Sequence, residues 1–370
     1  MEQGTRVSVA PRGCRVVTTS MTARLLLDHQ LRAIDEVSWS VVSGDPFPDP
    51  PEDVSVQVVP IRREFAFSDG AAFVGLWRCF RRSRFDFVQT HTPKASFLGL
   101  PAARLSGTRA IYTIHGALYF KDNSRRGNIL GWLFEKWCCA WAHVVLVQSR
   151  EDQEVLPRAH ICSSAKIRYV GNGVVLDRFV PPPSSTPPVP RSTRPRVLMV
   201  SRLVREKGCA DFLALARALH GRADFVHVGP VEPDQRDALS AQEIAAASGD
   251  VSFVGAVDDV RPYLDSADVV VLPSYREGIP RVAMEAAAAG RPVVAYDVRG
   301  VREVVDPASG LLVRRGDTAA LTGVVERLLE DPHRRTTVGL ACQARVLERF
   351  SEDNVITRLR GVYAELAGAA

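Results

Sequence analysis

The sequence predicts an α/β protein of two doubly wound domains, each a parallel sheet with helices on both faces. Three observations predict it. Short apolar runs alternate with helix-length amphipathic segments through the first half of the chain. A second alternation of the same kind runs through the other half, and a proline-rich stretch separates the two. Short Val/Ile/Leu runs bounded by turn residues suit strands buried on both faces, which only a parallel sheet provides.

Residues 15–19 read as the first strand, and residues 25–34 have helical apolar spacing. Residues 37–43 and 54–59 alternate with period two; residues 71–80 suit a helix and 85–89 a strand. Thr92-Pro93 opens a helix running to Leu105, with proline at its first position. Residues 109–114 form a strand ending at His115-Gly116. A helix at 129–141 and strands at 143–149 and 166–170 complete this half before Asn172-Gly173. Residues 181–195 hold seven prolines in fifteen positions and read as a linker. Strands then follow at 196–200, 225–228, 251–254, 268–272 and 292–295, with 311–313 as a sixth, and two long helical stretches at 318–349 and 352–367. The expected parts are residues 1–180, the linker 181–195, residues 196–350 and a closing helix in 351–370.

At 370 residues, 46% hydrophobic and 24% charged, the chain has the size and balance of a two-domain soluble protein. It has no apolar run of about 18 residues and no signal-peptide core near its start, so no spanning helix is expected. The seven cysteines make no Cys-x-x-Cys pair and no cluster at metal spacing, which reads as a reducing, cytoplasmic setting without structural zinc. Residues 1–180 carry 23 basic and 17 acidic side chains, residues 181–370 carry 24 and 25, and residues 61–126 alone carry 12 against 4. That patch suits a solvated face, or else anionic headgroups or a phosphate-bearing substrate. Nucleic acid is disfavoured, because no recognised nucleic-acid motif accompanies the patch.

The chemistry concentrates in residues 274–287 (SYREGIPRVAMEAA). An apolar strand precedes this stretch and an alanine-rich helix over 282–289 follows, with Gly278 at the turn and Pro280 in the first helical turn. A strand end facing a helix N-terminus binds anions, because free N–H groups and the helix dipole converge there. Glu277 and Glu285 bracket the turn. Eight positions along one helix separate them by about 12 Å and about 80°. Paired glycosidase acids face each other across roughly 5–9.5 Å. The spacing therefore suits one carboxylate at a reacting sugar and the other elsewhere on a long ligand. Arg202 and Lys207, in residues 201–208 (SRLVREKG), follow the second domain's first strand, at the sheet end where ligands bind. Lys207 is one of five lysines in a chain with 42 arginines, so a compact ammonium is a pointed choice there.

Glu-x7-Glu between a strand and an alanine-rich helix resembles the donor-site motif of the family-four retaining glycosyltransferases. These have the GT-B fold, two Rossmann-like domains with parallel sheets facing across a cleft, and the resemblance covers nearly the whole chain. It implies a nucleotide-sugar donor, UDP-linked, as co-substrate and no metal. Residues 1–180 would bind the acceptor, 196–350 the donor, and the closing helix would cross back to the first domain. Arg202 and Lys207 match the family's Arg-x4-Lys clamp, two cations that stabilise charge growing on a departing diphosphate. Glu277 would bind sugar hydroxyls; Gly278, Ile279 and Pro280 would present their loop to sugar and diphosphate. Glu285 would bind the ribose, Val254 would line the base pocket within Phe253-Val254-Gly255, and His115 would face the donor sugar. Asn172-Gly173 resembles the Asn-Gly-Val that closes the family's first domain.

His91 and Lys94, at the preceding strand's end, read as acceptor-side, with Lys94 available for an acceptor phosphate. Residues 18–24 (TTSMTAR) depart from the family's glycine-rich loop, which leaves Ser20, Thr22 or Arg24 to meet the acceptor. This loop, residues 90–95 and residues 112–116 resemble a subgroup acting on polyprenyl-diphosphate-linked sugars, often transferring N-acetylhexosamines. The expected reaction is retaining transfer of a hexose or N-acetylhexosamine to a lipid-linked saccharide or other glycan. Rivals are a soluble small-molecule acceptor, a GT-B epimerase and an inactive sugar-binding partner. The epimerase would need acid/base groups beyond His115, and an inactive partner would be expected to have lost Glu277, Arg202 or Lys207. Peripheral attachment to an anionic membrane is expected through the basic patch. Phe73, Trp77 and Phe80 interleave with Arg78, Arg81, Arg82 and Arg84 on one helix, and residues 119–141 are a second candidate.

Overall fold

The computed structural model describes residues 10–62, 64, 66–120, 124–179, 193–233 and 235–368. All but residues 193–195 of the expected linker lie outside the described residues, as do Arg63 and Lys121 of the basic patch. The chain divides into two units, one formed by residues 1–171 with 355–370 and the other by residues 172–354.

Among the described residues the first unit holds seven strands: β1 (Arg12–Val16), β2 (Ser38–Ser43), β3 (Ser55–Val58), β4 (Phe87–Thr90), β5 (Arg109–Ile114), β6 (Val144–Val147) and β7 (Ile167–Tyr169). Their order is β3-β2-β1-β4-β5-β6-β7, parallel throughout. The chain walks outward from β1 to β3, then returns to the other side of β1 with β4. The carboxyl ends of β1 and β4 therefore flank a topological switch point, the position where such sheets bind ligands. Successive residues feed opposite faces: Val16 and Val88 join one core, Val17 and Phe87 the other. Leu76 and Phe80 of the helix Asp69–Ser83, Leu98 of Pro93–Leu105 and Cys138 of Arg125–Trp141 build the first core. The second is closed by the helix Glu352–Gly368, whose Val355, Ile356, Leu359, Val362, Tyr363 and Leu366 recur at helical spacing.

The second unit holds β8 (Arg196–Val200), β9 (Asp224–Val228), β10 (Val251–Gly255), β11 (Val269–Leu272), β12 (Val293–Tyr296) and β13 (Leu312–Val313), in the order β10-β9-β8-β11-β12-β13 and again parallel. Its switch point lies between β8 and β11.

Several elements differ from the sequence expectation. Residues 25–34 belong to two short helices, Ser20–Leu26 and Asp28–Ala33, which meet at Leu27. The helix Arg150–Arg158 was not anticipated; its Ser149 cap accepts from the Asp152 N–H. The stretch 318–349 is two helices, Thr318–Glu330 and Pro332–Arg349. Asp331 between them leaves helical geometry (φ −119°, ψ 90°) and caps the second helix, while Pro332 has no N–H to continue the first. Pro280 is the cap before the helix Arg281–Ala288, one position earlier than expected. Glu277 therefore sits in the preceding loop, and the helical separation assumed for the two glutamates does not apply.

Candidate active site

In the second unit, the loops after β8 and β11 lie backbone to backbone. Gly208 has φ +75°, and a Cβ there would stand 1.9 Å from the Pro273 carbonyl oxygen, so only glycine permits the approach. The Tyr275 N–H donates to the Glu206 carbonyl at 2.8 Å across the same seam. This contact carries Lys207 onto the loop after β11, where its Nζ donates to Glu277 Oε1 at 2.7 Å. The two side chains are only 21% and 10% exposed, so their attraction is poorly screened. Neighbouring Glu206 instead faces Arg276 at 3.8 Å.

The same loop is held from two more directions. Asn172 Nδ2 donates to the Ile279 carbonyl at 3.2 Å. Gly300, at φ +79°, presses so closely that an added Cβ would fall 1.3 Å from the Gly278 oxygen. The Gly278 and Ile279 carbonyls are thus held by packing within the unit, an arrangement of the preorganised kind that charge-stabilising sites use. Arg202 turns to Glu232 at 3.3 Å. Glu285 is largely buried, with Arg281 Nε at 3.6 Å. Desolvation raises the Glu285 pKa above the usual carboxylate value, and Arg281 opposes that shift. Val254 lies on the edge strand β10 with its side chain 40% exposed.

The first unit gathers neutral groups. His91 follows β4 and His115 follows β5; these strands pair, so the two rings meet with His91 Nδ1 and His115 Nε2 3.2 Å apart. His115 also hydrogen-bonds the Gln148 side chain. Burial is the largest cause holding both imidazoles neutral, with the nearby Arg15 charge adding to it. His91 falls well below the usual histidine range and His115 drops to about 4. His91 Nε2 is buried without a hydrogen-bond partner among the described residues.

Arg15 is a fully buried cation beneath this pair. Its guanidinium lies 4.5 Å from the Trp39 ring centre and donates to Gln30 and to the Tyr363 hydroxyl. Tyr363 donates to Gln89, and Gln89 to Thr113 on β5. The chain from Arg15 thus ends two residues before His115.

One expectation for this half changes and one narrows. Lys94 is 3% exposed, and its ammonium is taken by Asp69 Oδ2 at 2.5 Å and the Glu64 carbonyl at 2.9 Å, so it is not available to an acceptor phosphate. Ser20 is buried and bonded to Asp45 through both its N–H and hydroxyl, and Thr22 pairs with Thr19. Arg24 is the member of that loop trio left exposed.

Residues 20–178 match the family described as "Glycosyltransferase Family 4", and residues 194–331 match "Glycosyl transferases group 1". The chain belongs to the family-four glycosyltransferases, of GT-B fold. One relative is the N,N'-diacetylbacillosaminyl-diphospho-undecaprenol alpha-1,3-N-acetylgalactosaminyltransferase of Campylobacter jejuni, 24% identical over 89% of this chain and 91% of its own. Another is the D-inositol 3-phosphate glycosyltransferase of Xylanimonas cellulosilytica, 28% identical over 76% and 72%. Among solved structures, sucrose-phosphate synthase from Thermosynechococcus elongatus superposes with a TM-score of 0.82 at 22% identity, over 97% of this chain and 100% of the other. Anabaena HepE in complex with UDP and glucose gives 0.75 at 19%, over 96% and 99%.

Within this glycosyltransferase, Glu232, Gly300, Gln148, Arg15 and Tyr363 were not singled out by sequence. Arg15 carried a signal, since a charge inside an apolar strand run must be paired or functional when the strand is central. The others reach the site only through strand order and loop packing, which no local spacing encodes.

Proposed function

We propose that this transferase is retaining and metal-independent, and moves a hexose or N-acetylhexosamine from a UDP-sugar to a polyprenyl-diphosphate-linked saccharide at the cytoplasmic face of an anionic membrane. The observation that carries the proposal is the 2.7 Å pair of Lys207 and Glu277 at the switch point of the second sheet. It joins a cation for a diphosphate to a carboxylate for sugar hydroxyls. When the donor binds, the diphosphate takes Lys207, and Glu277 is released to accept from the sugar. Arg202 exchanges Glu232 for the diphosphate in the same way, and Glu285 receives the ribose. The acceptor oxygen bonds to the anomeric carbon as the bond to the UDP oxygen breaks on the same face. The acceptor proton passes to the departing diphosphate. Two preorganised cations carry the growing charge, and His115, kept neutral, hydrogen-bonds the sugar.

The HepE neighbour bound to UDP and glucose supports the donor class, and the Campylobacter relative supports the lipid-linked acceptor. The inositol-phosphate relative favours a soluble acceptor as the second reading. The test is a panel of UDP-sugars against a short-chain polyprenyl-diphosphate saccharide and inositol phosphate in excess EDTA, with product anomers read by NMR. An α-linked product from an α-linked donor, formed in EDTA, supports the proposal. An inverted product, or activity that requires Mg²⁺ or Mn²⁺, overturns it.

A further inference from the structure

The helix Arg125–Trp141 wears its apolar residues outward. Ile129 is 54% exposed, Leu130 68%, Leu133 52% and Trp137 41%, and these four positions fall on one helical face. A helix that packs on a sheet normally puts such residues inside and polar ones outside. Here the inner face is already supplied by Gly131, Cys138 and Cys139. The charges on the helix are equally one-sided. Arg125 and Arg126 are exposed in its first turn and Lys136 is exposed near its end, while its one acidic residue, Glu135, is 1% exposed. The helix thus offers water an apolar stripe flanked by positive charge alone.

We infer that this face seats the enzyme on an anionic phospholipid surface, with Ile129, Leu130, Leu133 and Trp137 entering the headgroup boundary and Arg125 and Arg126 meeting the phosphates. Exposed cations without an exposed acid on the same helix complement an anionic surface, and a tryptophan at such a margin is at home between lipid and water. The inference rests on the lipid-linked acceptor reading and names the surface that serves it. Glu135 ties this helix to the candidate acceptor side: it accepts from the Tyr112 hydroxyl on β5 and from the Leu118 N–H, both at 2.8 Å. His115 lies between those two residues in the chain, so the seat and the histidine share one rigid segment. The helix Asp69–Ser83, the leading sequence candidate, does not present such a face. Its Phe80 is buried, Phe73 and Trp77 pack against the core, and the half-exposed Trp77 ring is covered by the Arg81 guanidinium at 5.3 Å, so Arg78, Arg81 and Arg82 flank no row of exposed apolar side chains like that of Arg125–Trp141.

Sedimentation of the full chain with phosphatidylglycerol-containing and with pure phosphatidylcholine vesicles tests the seat. Wild type is expected to partition to the anionic vesicles, less so as salt rises. Leu130→Ser with Leu133→Ser should lower partition about a hundredfold, and Arg125→Ser with Arg126→Ser about twentyfold. Arg78→Ser with Arg81→Ser and Arg82→Ser should change it much less. A wild type that ignores anionic vesicles at low salt overturns the inference. So does loss of binding in the arginine triple variant alone, or a dimer that the leucine variant dissolves, which would make the face a contact between copies. Calorimetry with UDP on the same samples separates the failures: UDP binding without vesicle binding rejects only the seat, and no UDP binding rejects the functional reading itself.

Discussion

The two switch points of this glycosyltransferase are built from opposite materials. The one in the second unit is ionic: Lys207 holds Glu277, Arg202 holds Glu232, and Arg281 approaches Glu285. The one in the first unit is neutral, two imidazoles in contact, His91 buried and His115 half-buried, near a buried guanidinium. The difference follows from what each would meet. Ion pairs are partners that a highly charged ligand can displace, and each pair contains a group to which the proposed function gives a role at the donor. Neutral imidazoles offer hydrogen bonds to hydroxyls without attracting a second anion, and burial keeps them neutral, with the Arg15 charge adding to it. The ionic half should therefore respond to charge deletion and the neutral half to pH.

Lys207→Ala is expected to have the largest effect, lowering kcat about 10²–10³-fold in a transfer assay while the fold persists by circular dichroism. A smaller loss than in His115→Gln would break the comparison. Next is Gly300→Ala, which must move the Gly278 loop and should cost about 2 kcal/mol or more in urea unfolding, with UDP affinity falling alongside. Gly310→Ala is its control: Gly310 also has positive φ (+72°), but a Cβ there meets nothing within 4 Å. That change should cost about 1 kcal/mol and leave UDP affinity alone.

Glu285→Gln should weaken UDP binding about tenfold, whereas Glu277→Gln should impair transfer with UDP affinity nearly intact. Equal losses would remove the division of labour between the two carboxylates. Ribose hydroxyls favour the charged form of Glu285, whose pKa burial has raised. UDP binding in mildly acidic buffer should then release protons, seen as a heat that varies with buffer ionisation enthalpy, and Glu285→Gln should abolish the release.

The most gradual effect is the pH dependence of the first unit. His115 moves from 6.5 to about 4 on folding, so the unfolded chain takes up a proton in that window and the folded one does not. Stability is full above about pH 6.5 and falls as pH drops toward 4, by on the order of 1–3 kcal/mol. His115→Gln should make that slope shallower in urea titrations, the remainder coming from His91 and His227, whose imidazoles burial also holds neutral. An unchanged slope would place the titrating group elsewhere.

Much of the frame was legible because a parallel sheet writes itself locally: each strand is a short apolar run, and each return is a helix-length segment. The Glu277 loop was legible for the same reason, lying between one strand and one helix. What failed to show in sequence depended on residues far apart in the chain. Lys94 looks available at a helix start, yet the fold sends Asp69 and the Glu64 carbonyl to it. Phe73, Trp77 and Phe80 look interfacial at helical spacing, and the same spacing serves a core. The segment holding the outward apolar stripe of Arg125–Trp141 ranked only second in sequence, because periodicity gives the angle between side chains and not which face meets the sheet. Asp331-Pro332 was the reverse case, a local break overlooked inside a long helical pattern.

The central claim is that the second unit binds the donor's diphosphate through Lys207 while the first unit supplies neutral groups for sugar and acceptor. Titration calorimetry of free UDP into wild type, Lys207→Ala and His115→Gln tests it most directly, because UDP lacks the sugar that His115 would meet. The account predicts UDP affinity lowered about tenfold or more in Lys207→Ala and unchanged in His115→Gln. Equal affinity in wild type and Lys207→Ala, or a loss in His115→Gln as large as in Lys207→Ala, would contradict it.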